Sequence, residues 1–410
     1  MEPNLIGNRT VTPMAPQGAI EAADPGAPRY PHSPTLGWLR VALALTVIDT
    51  HYGIFGSAFN YFVRISATRA NFHFCGDGNL AVAGFFIMTG YLVAEILEKK
   101  YPSNSLQDFL HFVASRYFRI FPLYLLVTAV FILFLSTQDR HFGWLFLWGN
   151  ATLLPYGVVA FFSSKPLYTH TAIGAAWTLP LDLVFYPLGF LLFKRRRLLV
   201  ATFLALLGFY LVVWTISPQQ PGTLTYTAAA SWWHERFYTT VEPNMLAFVC
   251  GMIARVYLSA RRIPRWITLP SAGLLLWVFY LPIFIDYFGA QLVSIIALTI
   301  IVTALARNGM SRHEAFLGSL TYSIYLVHQP LQEIFGRTLR SPFALLALAL
   351  FLALAVTRFV EEGFIESHRR KWLARWKPGG APVAIPYRIF VFLYALLLGS
   401  SMAYYLFIFS

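Results

Sequence analysis

The chain is short of charge. Only 12% of its 410 residues are Asp, Glu, Lys or Arg, against roughly 25% in an ordinary soluble domain. That shortage excludes a fully solvated globular surface. No polar stretch is long enough to bury a core of its own, so no appended soluble domain is expected. The two cysteines, Cys75 and Cys250, suggest neither a disulfide framework nor a metal site. Strand-like alternation is missing, which argues against an outer-membrane barrel. Residues 1–35, rich in Pro, Gly and Ala, have no basic n-region leading into an apolar h-region. They read as a disordered cytoplasmic tail and not as a signal peptide.

What is plentiful is apolar. Hydrophobic residues make up 57% of the chain, and they gather into segments long enough to cross about 30 Å of hydrocarbon as helices. Eleven such spans are expected, at 37–56, 79–97, 113–135, 174–193, 198–216, 243–258, 267–284, 289–306, 316–336, 342–360 and 386–408. The fold class is therefore all-α, a polytopic membrane helical bundle. A further apolar segment, 142–162, is interrupted by Gly149, Asn150, Pro155 and Gly157 and reads as a re-entrant or interfacial piece.

Charge sets the expected orientation. With the N-terminus inside, the outer loops hold Arg64, Arg69, Arg140, Lys165, Arg236, Arg337 and Arg340, and the other 24 of the 31 basic residues fall on the inner side. This bias puts the N-terminus in the cytoplasm and the C-terminus outside. Counting 142–162 as a crossing would turn the Lys194–Arg197 cluster outward, so it is not counted. The net charge of +13 is then a topology signal plus attraction to anionic lipid, with no need of nucleic acid.

A few polar groups inside the spans carry the chemistry. Arg40 and His51 lie eleven residues apart in the first span, about three helical turns, so they share a face with about 17 Å between them. A guanidinium can hold a phosphate or polarise a carbonyl, and a neutral imidazole can accept a proton near pH 7. Asp49 sits about 200° around the helix from His51 and is a poor candidate for orienting it. Arg116 and Arg119, at i and i+3, present two forked donors on one face. Spacing alone leaves two readings for them, a grip on a polyanion or an anchor at the lipid headgroups. Asp182, within an apolar run, faces a cavity or a basic partner, as a structural ion pair or as a catalyst. His328 reads as a helix–helix hydrogen bond or a catalyst, and Glu361 as an interfacial charge. Thr89-Gly90-Tyr91 reads as close helix packing. Trp232 and Trp233 offer sugar-stacking surface near an outer loop, as an interfacial aromatic belt also would.

Taken in order, these pieces form a pattern. Arg40 and His51 make an Arg-x10-His, followed by Val82-x-x-Phe85-Phe86-x-x-Thr89-Gly90-Tyr91. Arg116 and Arg119 then lead into Ile120-Phe121-Pro122, and Trp177-Thr178-Leu179 precedes Asp182 and Phe185-Tyr186. Leu317-Gly318, the run Tyr322-Ser323-Ile324-Tyr325-Leu326-Val327-His328, and Glu361-x-x-Phe364 complete it. The set resembles the acyltransferase-3 family of membrane acyltransferases over roughly residues 36–364. Three positions depart from the family pattern: Asp182 replaces the usual glutamate, Ala83 an acid often found there, and Gly363 a proline.

The resemblance implies a ten-helix acyltransferase core at 36–364, a basic cytoplasmic connector at 365–385 and one extra C-terminal transmembrane helix at 386–408. It implies transfer of an acyl group, usually acetyl, from cytoplasmic acyl-CoA to a hydroxyl, usually on a sugar. The stand-alone form suits an exopolysaccharide or lipid-linked oligosaccharide acceptor. His51 would act as general base or as a transient acyl carrier, Arg40 would assist at the thioester, and Arg116 and Arg119 would bind the donor. Asp182, Tyr322, Tyr325, His328 and Glu361 would support them. No cofactor is held permanently and no metal is required; acetyl-CoA is a co-substrate. Expected partners are acyl-CoA, the glycan acceptor, membrane lipids and polysaccharide-synthesis proteins, and the expected location is a bacterial inner membrane. The rival readings are a flippase for a lipid-linked sugar, an acyltransferase for a macrolide-type small molecule or a lipid headgroup, and a non-enzymatic scaffold.

Overall fold

The computed structural model describes residues 36–54, 78–138, 140–162, 165–216, 237–280, 287–306, 312–339, 341–375 and 387–409. The expectations for the 1–35 tail, Arg64, Arg69, Cys75, Trp232, Trp233, Arg236, Arg340 and the 376–385 part of the connector lie outside these residues. Among the described residues there is no strand. The helices are α1 Gly37–Tyr52, α2 Gly78–Lys100, α3 Leu106–Ser136, α4 Trp144–Thr152, α5 Leu154–Phe162, α6 Thr178–Phe193 and α7 Arg196–Ile216. They continue as α8 Val241–Ile253, α9 Arg265–Tyr280, α10 Tyr287–Leu305, α11 Arg312–Phe335, α12 Pro342–Ala355, α13 Glu366–Arg375 and α14 Tyr387–Phe409.

Each of the eleven expected spans is mostly helical over its described residues. Length and apolarity alone select seven of them as able to cross a membrane. Two of the exceptions have physical causes. Helix α1 is 16 residues long, short of the ~20 that a straight span needs. Helix α11 has 24 residues but includes Arg312, Glu314, Gln329, Gln332 and Glu333, polar groups that dilute its hydropathy. Helix α14, at 23 residues, is long enough to cross.

The central crossing of the bundle depends on two glycines. Helices α2 and α8 approach so closely that a Cβ on Gly90 would overlap the carbonyl of Phe248, and one on Gly251 would overlap the carbonyl of Ile87. The obstacle in both cases is backbone, which cannot rotate away. Gly90→Ala is therefore expected to cost about 3 kcal/mol, the upper end for overpacking, and to lower the melting temperature in detergent. Gly208→Ala, with nothing within 4 Å, should leave it unchanged; equal shifts would refute the close-packing account.

Basic groups collect at one end. Lys194 donates to the carbonyl of Tyr101, Arg255 pairs with Glu98, and Lys99 pairs with Glu95 at 2.5 Å. Arg369 and Arg370 both pair with Glu366 at the start of α13. The opposite end has a separate ion pair, Arg140 to Glu333 at 3.1 Å.

The interrupted segment is a bent pair, α4 and α5, meeting at 99°. The turn residue Leu153 has φ 58, a left-handed conformation rare outside glycine. Fully buried Asn150 stabilises the bend, donating to the carbonyl of Phe146 at 2.9 Å and accepting from the backbone N–H of Ala172 at 2.7 Å. The chain enters this pair from the Arg140 end. It leaves through Leu167, whose N–H donates to Thr239 at 3.0 Å just before α8, at the end of α8 remote from Arg255. Both ends of the pair thus lie on the same side, as a re-entrant element requires. Helix α14 docks beside it, the Ser401 hydroxyl meeting the carbonyl of Phe161 at 2.7 Å and the carboxyl of Glu242.

Candidate functional site

Helix α1 runs between two clusters. It ends just past His51 because Gly53 adopts φ 63 and returns its N–H to the carbonyl of Asp49, a left-handed cap that suits glycine. His51 therefore lies in the last turn, where backbone carbonyls lack helical partners. Gln332 of α11 satisfies the His51 carbonyl at 2.6 Å, and Tyr52 donates to the carbonyl of His328 at 2.6 Å. These two bonds fix α1 against α11 and bring the His51 and His328 rings to 5.2 Å between centroids.

Among the described residues the His328 ring forms no hydrogen bond to another helix. Its Nδ1 contacts the carbonyl of Ile324, one turn earlier in its own helix, at 3.2 Å. A carbonyl can only accept, so Nδ1 carries the proton and Nε2 of the neutral ring keeps a lone pair. That Nε2 is buried without a hydrogen-bond partner among the described residues. A buried acceptor of this kind needs an explanation, and the nearest polar ring is that of His51.

His51 opens onto a cavity of ≈ 310 Å³. Trp177, Tyr168 and Tyr238 supply its aromatic walls, and Asn79, Gln329 and Tyr325 its polar ones. Trp177 and Tyr238 meet edge to face at 4.7 Å. Gly174 leaves room for Gln329, since a Cβ there would lie 2.7 Å from the Gln329 amide nitrogen; the Gln329 oxygen in turn accepts from the N–H of Ala175. Tyr325 is fixed by Thr178 at 2.7 Å and by the carbonyl of Ala175, which links α11 to the Trp-Thr-Leu turn.

The second cluster surrounds Arg40. Ser105 caps α3, accepting from the N–H of Asp108 at 3.1 Å, and two to three turns later the helix presents Arg116 and Arg119. Arg40 lies within electrostatic reach of Arg119 and Tyr186, and Tyr186 within reach of Asp182, Arg116, Arg119 and Arg40 together. Arg116 rests over the ring of Phe112 at 5.9 Å. The Tyr322 hydroxyl bonds the carbonyl of Ile120 at 2.7 Å, setting α11 against the double-arginine turn. Among the described residues none of the three arginines forms an ion pair, whereas Arg140, Arg255, Arg358, Arg369 and Arg370 do. Three guanidiniums gathered without a bonded carboxylate repel one another and call for an anion.

Asp182 makes no ion pair among the described residues; its Oδ1 is buried and unbonded, and its neighbours are the phenols of Tyr186, Tyr322 and Tyr325. Glu361 is more than an interfacial charge. It lies in a π-helical stretch, Val356–Ile365, a widening often found at functional positions. It accepts from Ser323 at 3.3 Å, which accepts from Thr357 at 2.8 Å, and it lies within reach of Arg119. Sequence reading also missed Gln329 and Gln332. Their signal was available, as amides one and four residues past His328 in an apolar helix. Among the described residues no group of three or more His, Cys, Asp or Glu could hold a metal ion.

No curated protein and no solved structure matches the chain. A family model described as an acyltransferase domain matches residues 34–360, a span that includes the paired histidines and the three arginines. The chain belongs to the acyltransferase-3 family and is a membrane acyltransferase.

Proposed function

We propose that the protein transfers an acetyl group from cytoplasmic acetyl-CoA to a sugar hydroxyl, in an exopolysaccharide or a lipid-linked oligosaccharide. The observation that carries this reading is the separation of two unsatisfied sites on one helix. Arg40, Arg116 and Arg119 await an anion, and about 17 Å along α1 His51 lines a cavity with the His328 ring 5.2 Å from its own. The basic end of the bundle is the cytoplasmic one by the positive-inside bias, which puts the arginines where CoA is available. The diphosphate of the donor binds them, and its flexible arm carries the thioester toward His51.

In the reaction, His51 takes the proton of the acceptor hydroxyl as the oxygen attacks the thioester carbonyl carbon. The C–S bond breaks, the thiolate leaves, and the proton returns to it as free CoA thiol. Arg40 stabilises negative charge at the donor end, and the His328 lone pair accepts a hydrogen bond from the acceptor or from His51. The aromatic walls formed by Trp177, Tyr168 and Tyr238 suit the apolar faces of a sugar ring, with Asn79 and Gln329 for its hydroxyls.

Two measurements test this. Purified protein in detergent should release CoA thiol from acetyl-CoA in the presence of a saccharide acceptor, which a flippase or scaffold would not do. Surface glycans of a strain lacking the protein should carry less O-acetyl than wild type; unchanged acetyl content would remove the glycan acceptor.

A further inference from the structure

A coenzyme A donor is long, with the thioester at one end, a diphosphate in the middle and a ribose 3′-phosphate at the far end. A site that binds the middle at Arg116 should therefore offer further positive charge outward, toward the basic end of the bundle.

The groups outward of Arg116 are Lys100, at the end of α2, and Arg369 on α13. Arg116 and Arg369 lie within mutual electrostatic reach, and Lys100 within reach of both. Contacts hold the three segments together. The Tyr101 hydroxyl is 2.9 Å from Nδ1 of His111, and its ring lies 5.5 Å from Phe112, the ring beneath Arg116. A hydrogen bond joins His111 to the backbone of Leu373, and Trp372 meets Phe118 at 4.5 Å. Arg369, three residues before Trp372, is on the same face of α13 and so is turned toward α3.

The neighbouring cations are already occupied. Lys99 is paired with Glu95, Arg255 with Glu98, and Lys194 bonds the Tyr101 carbonyl. Lys100 has no hydrogen bond or ion pair among the described residues. Arg369 gives Nε and Nη2 to Glu366 at 2.7 Å each, which fixes its plane and leaves Nη1 available. Burial opposes ionisation of Glu366, but the bonds from Arg369 and Arg370 hold its carboxyl below the usual range. It is an orienting anion that leaves the surrounding cations in excess. The family match ends at residue 360, so Arg369 comes from the stretch beyond it.

We propose that Lys100 and Arg369 form a second anion site at the mouth of the arginine cluster, which binds the ribose 3′-phosphate of the coenzyme A donor. The proposal rests on the acyl-CoA reading above. Its test is equilibrium binding of CoA and 3′-dephospho-CoA to the full-length protein in nanodiscs. Wild type should bind CoA about tenfold more tightly than the dephospho form, as one charge-assisted contact supplies. Lys100→Ala with Arg369→Ala should bind both ligands alike, at the wild-type affinity for the dephospho form. Lys100→Ala alone, which breaks no bond, should already narrow the ratio about threefold. A wild type that does not distinguish the ligands, or a double variant that keeps the full ratio, overturns the second site and leaves the donor reading standing. A wild type that binds neither ligand overturns the donor reading as well.

Discussion

Replacing His51 by alanine is expected to lower acyl transfer about 10²- to 10⁴-fold, the range for loss of a general base, while the protein stays folded and keeps its affinity for acyl-CoA. The structural reason is that, among the described residues, the His51 ring forms no hydrogen bond between helices. The bond that joins this position to α11 uses the backbone carbonyl, which Gln332 satisfies at 2.6 Å, and alanine keeps that carbonyl. What disappears is the imidazole beside the cavity and opposite His328. Turnover, melting temperature and CoA binding on one preparation check the three parts. Transfer at the wild-type rate would remove His51 from the chemistry. A two-step route through an acyl-imidazole predicts the same loss, and ping-pong kinetics would separate it from direct transfer.

The second large effect concerns the arginines. Arg116→Ala with Arg119→Ala should weaken acyl-CoA binding by at least about 100-fold, since two charge-assisted contacts of ~1.5 kcal/mol each are lost. Stability should hold or rise, because neither guanidinium forms an ion pair among the described residues and Arg40 is relieved of a neighbouring like charge. Arg255→Ala is the contrast. It breaks the pair with Glu98 and should lower stability with donor affinity unchanged. Were Arg116 and Arg119 headgroup anchors instead, the double variant would keep its donor affinity and lose stability in the membrane.

Sequence reading went furthest where one helix determines the answer. The ten residues between Arg40 and His51 fix their shared face whatever surrounds them, and the four interruptions in 142–162 marked an element that bends and returns. Close packing at Gly90 was legible from its size, though not that its partner is the Gly251 crossing. Contacts between helices were not legible. Periodicity tells which side of α11 His328 occupies, but not that Tyr52 and Gln332 bring it opposite His51. The same limit explains the acids. An apolar run around Asp182 announces a buried carboxylate, while the tyrosines in place of a basic partner come from α6 and α11 together. Glu361 looked like the end of a span because a π-helical turn has no sequence marker comparable to glycine or proline. The aromatic walls of the cavity come from Tyr168, Trp177 and Tyr238, brought together by the Thr239–Leu167 contact; Trp232 and Trp233 lie outside the described residues.

The central claim is that a donor held by the arginines presents its acyl carbon to His51. Bromoacetyl-CoA tests it directly, because an imidazole nitrogen within reach displaces bromide and leaves a stable carbon–nitrogen bond that peptide mapping can locate. The account predicts an adduct on His51 in wild type and its loss in Arg116→Ala with Arg119→Ala. An adduct confined to another residue such as Cys250, or labelling of His51 at an unchanged rate without the two arginines, would contradict it.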